Sequence, residues 1–196
     1  MSRLIINQNP LPYASLLEAR DTGLVDLAVI HCTELPDLAM AREFGERVHY
    51  HASSTGNSGH YYIERSGRVE QWVPLDRVAH HVRGYNERSV GIELINLGRY
   101  PDWFDSRKQT PCELYTPVQI EILSDLLRCL QKKLPALRWI AGHEALDTGQ
   151  IAASDDANKA VFRKRDPGPL FPWTDLLANI ELQRFDPAGD LNTSCR

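Results

Sequence analysis

Apolar and polar residues recur with two different periods along the chain, and the changes between these periods mark the predicted elements. Short apolar runs rich in β-branched residues have the length and composition of β-strands. Five such runs cover residues 24–31, 60–65, 68–73, 90–96 and 137–141. Ser66 and Gly67 separate the second run from the third, which predicts a two-residue hairpin turn.

A long amphipathic helix is predicted between the fourth and fifth runs. Thr116, Pro117 and Gln119 form a typical helix start, with threonine as N-cap and glutamine at the third helical position. Isoleucine and leucine then recur at spacings of three and four residues. This period indicates one buried stripe on a helix that ends near Lys133.

Two shorter helices are also predicted. One begins after Pro36, and Met40, Phe44 and Val48 recur every four residues on the side that we expect to be buried. The other covers residues 173–182 near the end of the chain.

Strands that alternate with helices, together with one hairpin, predict an α/β fold. We expect a single domain with a mixed central β-sheet flanked by helices on both faces. The chain has 196 residues, enough for one such domain with a full core. We expect residues 25–183 to form this domain, residues 1–24 an N-terminal extension and residues 184–196 a C-terminal tail.

Charge and composition narrow the classes of function. The net charge of −4 argues against nucleic acid as a partner, because phosphate binding favours a basic surface. No apolar run approaches the roughly 18 residues of a membrane span, and the first residues lack an apolar segment typical of a signal peptide, so a cytoplasmic location is expected. Four cysteines without a CxxC pair favour free thiols over a disulfide.

Histidines stand at the ends of two predicted strands. His31 closes the first run, and His143 follows the last run after a glycine. Asp166 precedes a Pro-Gly pair. Two imidazoles and a carboxylate suit an open catalytic zinc site, which keeps one position for a water whose pKa falls to about 7. The alternative is that each is an ordinary hydrogen-bonded polar residue, and spacing alone does not decide between the two.

Glu93 and Lys164 are candidates for catalysis. Glu93 lies among apolar neighbours, which would raise its pKa and suit it to proton transfer. The alternative is a glutamate that reaches solvent at a strand edge. Lys164 precedes Asp166 by two residues, so in an extended segment both side chains point the same way and the ammonium would stabilise an oxyanion. The alternative is a solvated basic cluster at residues 163–165.

His60, His80 and His81 are additional imidazoles. One of them is a candidate for substrate contact. The alternative, favoured for His60 and His80, is packing or hydrogen bonding to the residues that hold the metal.

Six motifs follow one another along the chain, at residues 29–33, 59–63, 79–81, 86–93, 141–143 and 163–169. In this order they resemble the type-2 N-acetylmuramoyl-L-alanine amidase family, which includes AmpD-like enzymes, peptidoglycan recognition proteins and phage lysozyme-type amidases. The resemblance extends from about residue 25 to residue 178. It implies a zinc enzyme that cleaves the amide between the lactyl group of N-acetylmuramic acid and L-alanine of the stem peptide.

The resemblance also implies a role for each candidate residue. It implies that the Zn²⁺ ligands are His31, His143 and Asp166, that Glu93 is the base or electrostatic partner of the attacking water, and that Lys164 stabilises the transition state. His81 and Asn86 match positions that line the substrate groove, and His60 is a further candidate there. Some branches of the family have a tyrosine at the position of Gly59, and its absence here leaves proton transfer to Glu93.

The expected substrate is a muropeptide, most simply a soluble 1,6-anhydro-muropeptide from cell-wall recycling. One alternative is a lytic amidase, phage-encoded or exported, that acts on intact peptidoglycan. Another is a non-catalytic peptidoglycan-binding module, which the presence of all three ligand residues disfavours. The oligomeric state is left open.

The chain departs from the family pattern between His143 and Asp166. The connection covers residues 144–165 and is longer than the resemblance implies. We expect residues 146–160 to be an insertion near the metal that acts as a lid or shapes the substrate groove. Residues 97–115 have the composition of a long loop, and such loops often line a functional site.

Overall fold

A computed structural model describes residues 4–187. This part of the chain contains nine β-strands and four α-helices. The strands are β1 (Ile6–Gln8), β2 (Leu27–Cys32), β3 (Tyr61–Ile63), β4 (Val69–Gln71), β5 (Ser89–Leu94), β6 (Trp139–Gly142), β7 (Gln150–Ala152), β8 (Ala160–Phe162) and β9 (Gln183–Arg184). The helices are α1 (Leu38–Glu46), α2 (Pro117–Lys133), α3 (His143–Leu146) and α4 (Trp173–Leu177).

Seven of the strands form one sheet in the order β1-β4-β3-β5-β2-β6-β9. Only β3 and β4 are antiparallel, and the other neighbours are parallel. Every residue of β2 is buried, as expected for a central parallel strand that is covered on both faces. The predicted mixed sheet is therefore confirmed. All five predicted strands are present, and each is shorter than predicted.

Helices pack on both faces of the sheet, as predicted. On one face, α2 buries Leu123, Leu127 and Leu130 against Ile92 of β5 and other sheet residues. The threonine and glutamine that start α2 form the expected capping box. On the opposite face, α1 packs in a second apolar cluster around Trp72.

The predicted buried side of α1 is partly wrong. Leu38, Ala41 and Gly45 are its buried residues. The helix ends at Glu46, so Val48 lies outside it and is 44% exposed. Phe44 is half-buried beside the second cluster. The four-residue repeat misplaced the buried side because Leu38, Ala41 and Gly45 form it, while Phe44 is only partly buried at its edge.

Both ends of the described part of the chain pair with the central sheet. Near the N-terminus, β1 pairs with β4, and Leu11, Tyr13 and Leu17 are buried in the second cluster. Near the C-terminus, β9 pairs with β6 and Phe185 is buried. The predicted domain boundaries at residues 24 and 183 stay predictions, and most of the predicted tail lies outside the described residues.

The long connection before Asp166 forms a small hairpin that the sequence did not predict. In this hairpin β7 pairs with β8, apart from the main sheet. Asp155 at its tip accepts hydrogen bonds from the backbone nitrogen and the hydroxyl of Ser106, at 2.6 and 2.8 Å. The hairpin is therefore fixed to the long loop at residues 97–115.

The predicted closing helix is also shorter than expected, since α4 ends at Leu177. Cys32, Cys112 and Cys129 are free, as predicted, and Cys195 lies outside the described residues. Within residues 4–187, every helix falls short of the length and apolar character that a membrane span requires.

The packing of α2 makes a first prediction. Leu127 is fully buried, so Leu127→Ala should lower the free energy of unfolding by about 2–5 kcal/mol through lost apolar contact and a residual cavity. Glu121 is exposed on the same helix, and Glu121→Ala should change it by less than about 0.5 kcal/mol. Urea denaturation of both variants measures the difference. Equal stability of the two variants would contradict the described packing.

Candidate metal centre and active-site cavity

The candidate site lies where three parallel strands end at one edge of the sheet. In the register of β2 and β5, His31 is paired with Glu93. In the register of β2 and β6, Ile30 is paired with Gly142, so His143 follows at the same level. The register of the sheet therefore brings together three side chains that are far apart in the sequence.

Asp166 reaches this edge from the segment after β8. Its backbone oxygen accepts a hydrogen bond from the nitrogen of Glu144 at 2.9 Å, which ties the segment to the start of α3. Its Oδ2 lies 2.9 Å from Nδ1 of His31 and 3.0 Å from Nδ1 of His143. The two imidazoles thus face one carboxylate oxygen, and their ring centroids are 4.6 Å apart.

These three residues fit a metal ion. All three are buried, and one ligand atom from each lies within 4.8 Å of the others. Oδ1 of Asp166 is buried and lacks a hydrogen-bond partner within residues 4–187. A buried carboxylate oxygen without a partner is costly, and a bound cation would compensate for it. Two nitrogens and a carboxylate oxygen are the donor set of an open zinc site.

The electrostatics favour the protonation states that metal binding needs. Burial lowers the pKa of His31 to about 4, which keeps its imidazole neutral. Burial opposes ionisation of Asp166, but the neighbouring His143 and the close approach of both imidazoles hold the pKa of this carboxyl well below its usual range.

Glu93 lies beside the three candidate ligands. Its Oε1 is 3.9 Å from Nδ1 of His31, and 15% of its side chain is exposed. Burial and the nearby charge of Asp166 raise its pKa to about 8, and Lys164 partly offsets this rise. A Cβ atom at position 59 would lie 2.9 Å from Cγ of Glu93, so Gly59 leaves the space that the glutamate occupies.

A cavity of about 650 Å³ opens onto the site. It is lined by most of the residues predicted from the sequence, namely His31, His81, Asn86, Glu93, His143, Lys164 and Asp166. Arg83 and Arg163 also line the cavity, and Arg163 pairs with Asp147. Oδ1 of Asn86 accepts hydrogen bonds from the backbone nitrogens of His81 and Val82, at 3.0 and 2.8 Å.

His60 lies away from the cavity and is fully buried. Its Nδ1 accepts a hydrogen bond from the nitrogen of Gly91 at 3.1 Å, so this nitrogen carries no proton. Its Nε2 lies 2.8 Å from the guanidinium of Arg20 and 3.2 Å from the carbonyl oxygen of Arg77. Substrate contact by His60 stays a prediction, and its position instead suits a role in holding β5.

Sequence reasoning missed Arg99, which is 3% exposed and holds the chain just before Lys164. Its guanidinium pairs with Glu34 at 2.7 and 2.9 Å. It also donates to the backbone oxygens of Phe162 and Arg163, at 2.9 and 3.4 Å. Since Arg99 lies in an irregular loop, neither period nor spacing marked it as a buried residue.

The chain is similar in sequence to known proteins, among them an amidase and an endolysin. The chain is 31% identical over 134 residues to the 1,6-anhydro-N-acetylmuramyl-L-alanine amidase AmpD of Salmonella typhimurium, covering 64% of this chain and 58% of that protein. It is 30% identical over 109 residues to the endolysin of Enterobacteria phage K11, covering 49% of this chain and 68% of that protein. The chain thus spans little more than half the length of the AmpD relative.

A solved structure of the N-acetylmuramyl-L-alanine amidase AmiD from E. coli has the same fold. The TM-score is 0.60 at 23% identity, and the match covers 91% of this chain and 65% of AmiD. Residues 21–169 match the sequence profile described as N-acetylmuramoyl-L-alanine amidase. This match includes both histidines and the aspartate of the candidate metal centre, and the chain belongs to the type-2 N-acetylmuramoyl-L-alanine amidase family.

Proposed function

We propose that this protein is a zinc-dependent N-acetylmuramoyl-L-alanine amidase. One observation carries the proposal, namely that Nδ1 of His31 and Nδ1 of His143 lie 2.9 and 3.0 Å from the same buried oxygen of Asp166, beside a cavity. We assign the activity to residues 25–183. The reaction is hydrolysis of the amide between the lactyl group of muramic acid and L-alanine.

In this proposal His31, His143 and Asp166 hold the zinc. Bound zinc supplies a Lewis acid that polarises the lactyl carbonyl and lowers the pKa of water. Glu93 accepts a proton from the attacking water and delivers it to the nitrogen of L-alanine. A C–O bond forms and the C–N bond breaks. With both protons of the water transferred to the nitrogen, the products are a lactyl carboxylate and an ammonium group. A pKa of about 8 suits a group that both takes and returns a proton near neutral pH.

Lys164 stabilises the negative charge that develops on the carbonyl oxygen. Its ammonium lies on the cavity wall and is close enough to Glu93 and Asp166 to lower the pKa of both carboxyl groups. A positive charge fixed in a partly buried site stabilises an oxyanion more strongly than it does in water. Arg99 contributes by holding the backbone that precedes Lys164.

The proposed substrate is a soluble 1,6-anhydro-muropeptide. The similarity to AmpD supports this choice, and AmiD, which shares the fold, was solved with an anhydro-N-acetylmuramic acid peptide. Arg83 and Arg163 on the cavity wall suit the carboxylates of a stem peptide. The similarity to a phage endolysin favours a second candidate, a lytic amidase that acts on intact peptidoglycan. His81 and Asn86 are proposed to line the groove for either substrate.

The metal assignment predicts the effect of Asp166→Ala. This change removes one of three protein ligands, so zinc content should fall from about one ion per chain to near zero, and amidase activity should be lost. Metal analysis of the purified variant, with circular dichroism to show that it is folded, measures this. Asp175 is exposed, and Asp175→Ala is the control that should keep zinc and activity. A fully active Asp166→Ala protein would refute the ligand assignment.

The role of Glu93 predicts a different result. Glu93→Gln keeps the size of the side chain but removes the base, so zinc should be retained while kcat falls by about 10²–10⁴-fold. Glu87 is exposed, and Glu87→Gln serves as the matched control. Steady-state kinetics and zinc analysis of both variants test the prediction. Wild-type turnover in Glu93→Gln would mean that another group accepts the proton.

The substrate choice predicts that the enzyme prefers the lactyl–L-alanine bond of a soluble fragment to the same bond in intact peptidoglycan. The kcat/KM for a soluble 1,6-anhydro-muropeptide should exceed the kcat/KM for intact sacculi by at least about tenfold, with the sacculi concentration expressed as accessible stem peptides. Release of free stem peptide, followed by chromatography, measures both. The reverse preference would favour the lytic amidase, and inactivity on both substrates would contradict the proposed function.

A further inference from the structure

His81 lies on the side of His31 that faces away from Asp166. Its Nδ1 is 2.9 Å from Nε2 of His31, and its Nε2 is 3.2 Å from Oγ of Ser89. The hydroxyl of Ser89 in turn donates to the carbonyl oxygen of Tyr85 at 2.7 Å. A continuous chain of hydrogen bonds therefore joins a candidate metal ligand to a backbone carbonyl.

The direction of this chain follows from its last member. A carbonyl only accepts, so the hydroxyl proton of Ser89 is used at Tyr85 and the serine oxygen offers lone pairs to His81. Nε2 of His81 therefore carries a proton and donates it. The neighbouring rings of His81 are the imidazoles of His31 and His60, at centroid distances of 5.1 and 5.7 Å.

In the tautomer that donates from Nε2 to Ser89, Nδ1 of His81 is an acceptor. It accepts from Nε2–H of His31, and Nδ1 of His31 is then left without a proton. This is the nitrogen that lies 2.9 Å from Oδ2 of Asp166. Two lone pairs would face each other there, and a cation that both atoms coordinate removes this repulsion.

The surroundings of His81 hold it in this position. A Cβ atom at position 91 would lie 2.6 Å from Cγ and 2.7 Å from Nδ1 of His81, so the ring requires glycine at that position of β5. Ser89 and Gly91 are two residues apart on the strand and therefore share one face. The hydrogen bonds from the backbone nitrogens at 81 and 82 to Asn86 fix the segment that carries the ring.

We propose that His81 is a positioning residue that holds His31 in the tautomer and ring orientation needed to bind zinc through Nδ1. This role goes beyond the groove-lining role of His81 and rests on the proposed zinc site. Hydrogen-bond partners of metal-ligating histidines typically contribute 10–100-fold in metal affinity, which sets the expected size of the effect.

The test measures the zinc dissociation constant of the full chain by competition with a chelating dye. His81→Leu removes the acceptor and should weaken zinc binding by about 10–100-fold. His81→Asn places an amide oxygen near the position of Nδ1 and should restore most of this loss. Ser89→Ala removes the hydrogen-bond acceptor of Nε2 of His81 and should also weaken zinc binding, by a smaller factor. This second variant keeps the test valid if His81→Leu fails to fold.

The adjacent His80 also lines the cavity, and its ring packs against Tyr50 rather than His31, so His80→Leu should leave the zinc affinity unchanged. If His81→Leu and Ser89→Ala both bind zinc as tightly as the wild type, the inference is overturned and the proposed function stands. If the wild type binds no zinc, the proposed metal site itself is wrong.

Discussion

The structure of the site depends on one buried carboxylate oxygen that two imidazoles face. A carboxylate in the protein interior is stable only when charges or hydrogen bonds compensate for lost hydration. Asp166 is 4% exposed, and its other oxygen has no partner within the described part of the chain. A bound cation would compensate for this oxygen. The surrounding elements hold the carboxylate and its two histidines in place.

The parallel strands position the histidines, and loops position the remaining groups. His31 and Glu93 share one level because β2 and β5 pair in that register. Glycines at 59 and 91 leave the space for Glu93 and His81, so close packing at the edge of the sheet determines the positions of these side chains. Arg99 connects the long loop to the segment that carries Lys164 and Asp166. The site thus combines a rigid sheet edge with two loops that buried polar contacts hold together.

Local patterns in the sequence predicted the central elements and the candidate ligands. The start of α2 was predictable because the capping box of Thr116 and Gln119 depends on neighbouring residues alone. His31 and His143 were predictable because strand ends in a parallel sheet meet at one edge, and family motifs selected them from other histidines. Val48 was misplaced because the four-residue repeat extended beyond the true end of α1.

Contacts between distant loops were not predictable in the same way. The hairpin of β7 and β8 lies in a polar segment without a clear period, and Asp155 at its tip is fixed by Ser106, about fifty residues away. The pairing of Arg99 with Glu34 and the hydrogen bond between His31 and His81 depend on tertiary folding, which spacing along one sequence does not encode. The family resemblance named His81, but only the structure places it beside the candidate ligand His31.

X-ray absorption spectroscopy at the zinc edge of the purified wild-type protein tests the central claim most directly. The account predicts one zinc per chain with two imidazole nitrogens at about 2.0–2.1 Å, a carboxylate oxygen at about 2.0–2.2 Å, and one further light-atom ligand. A sulfur ligand at about 2.3 Å, or a spectrum without imidazole scattering, would place the metal elsewhere and contradict the account.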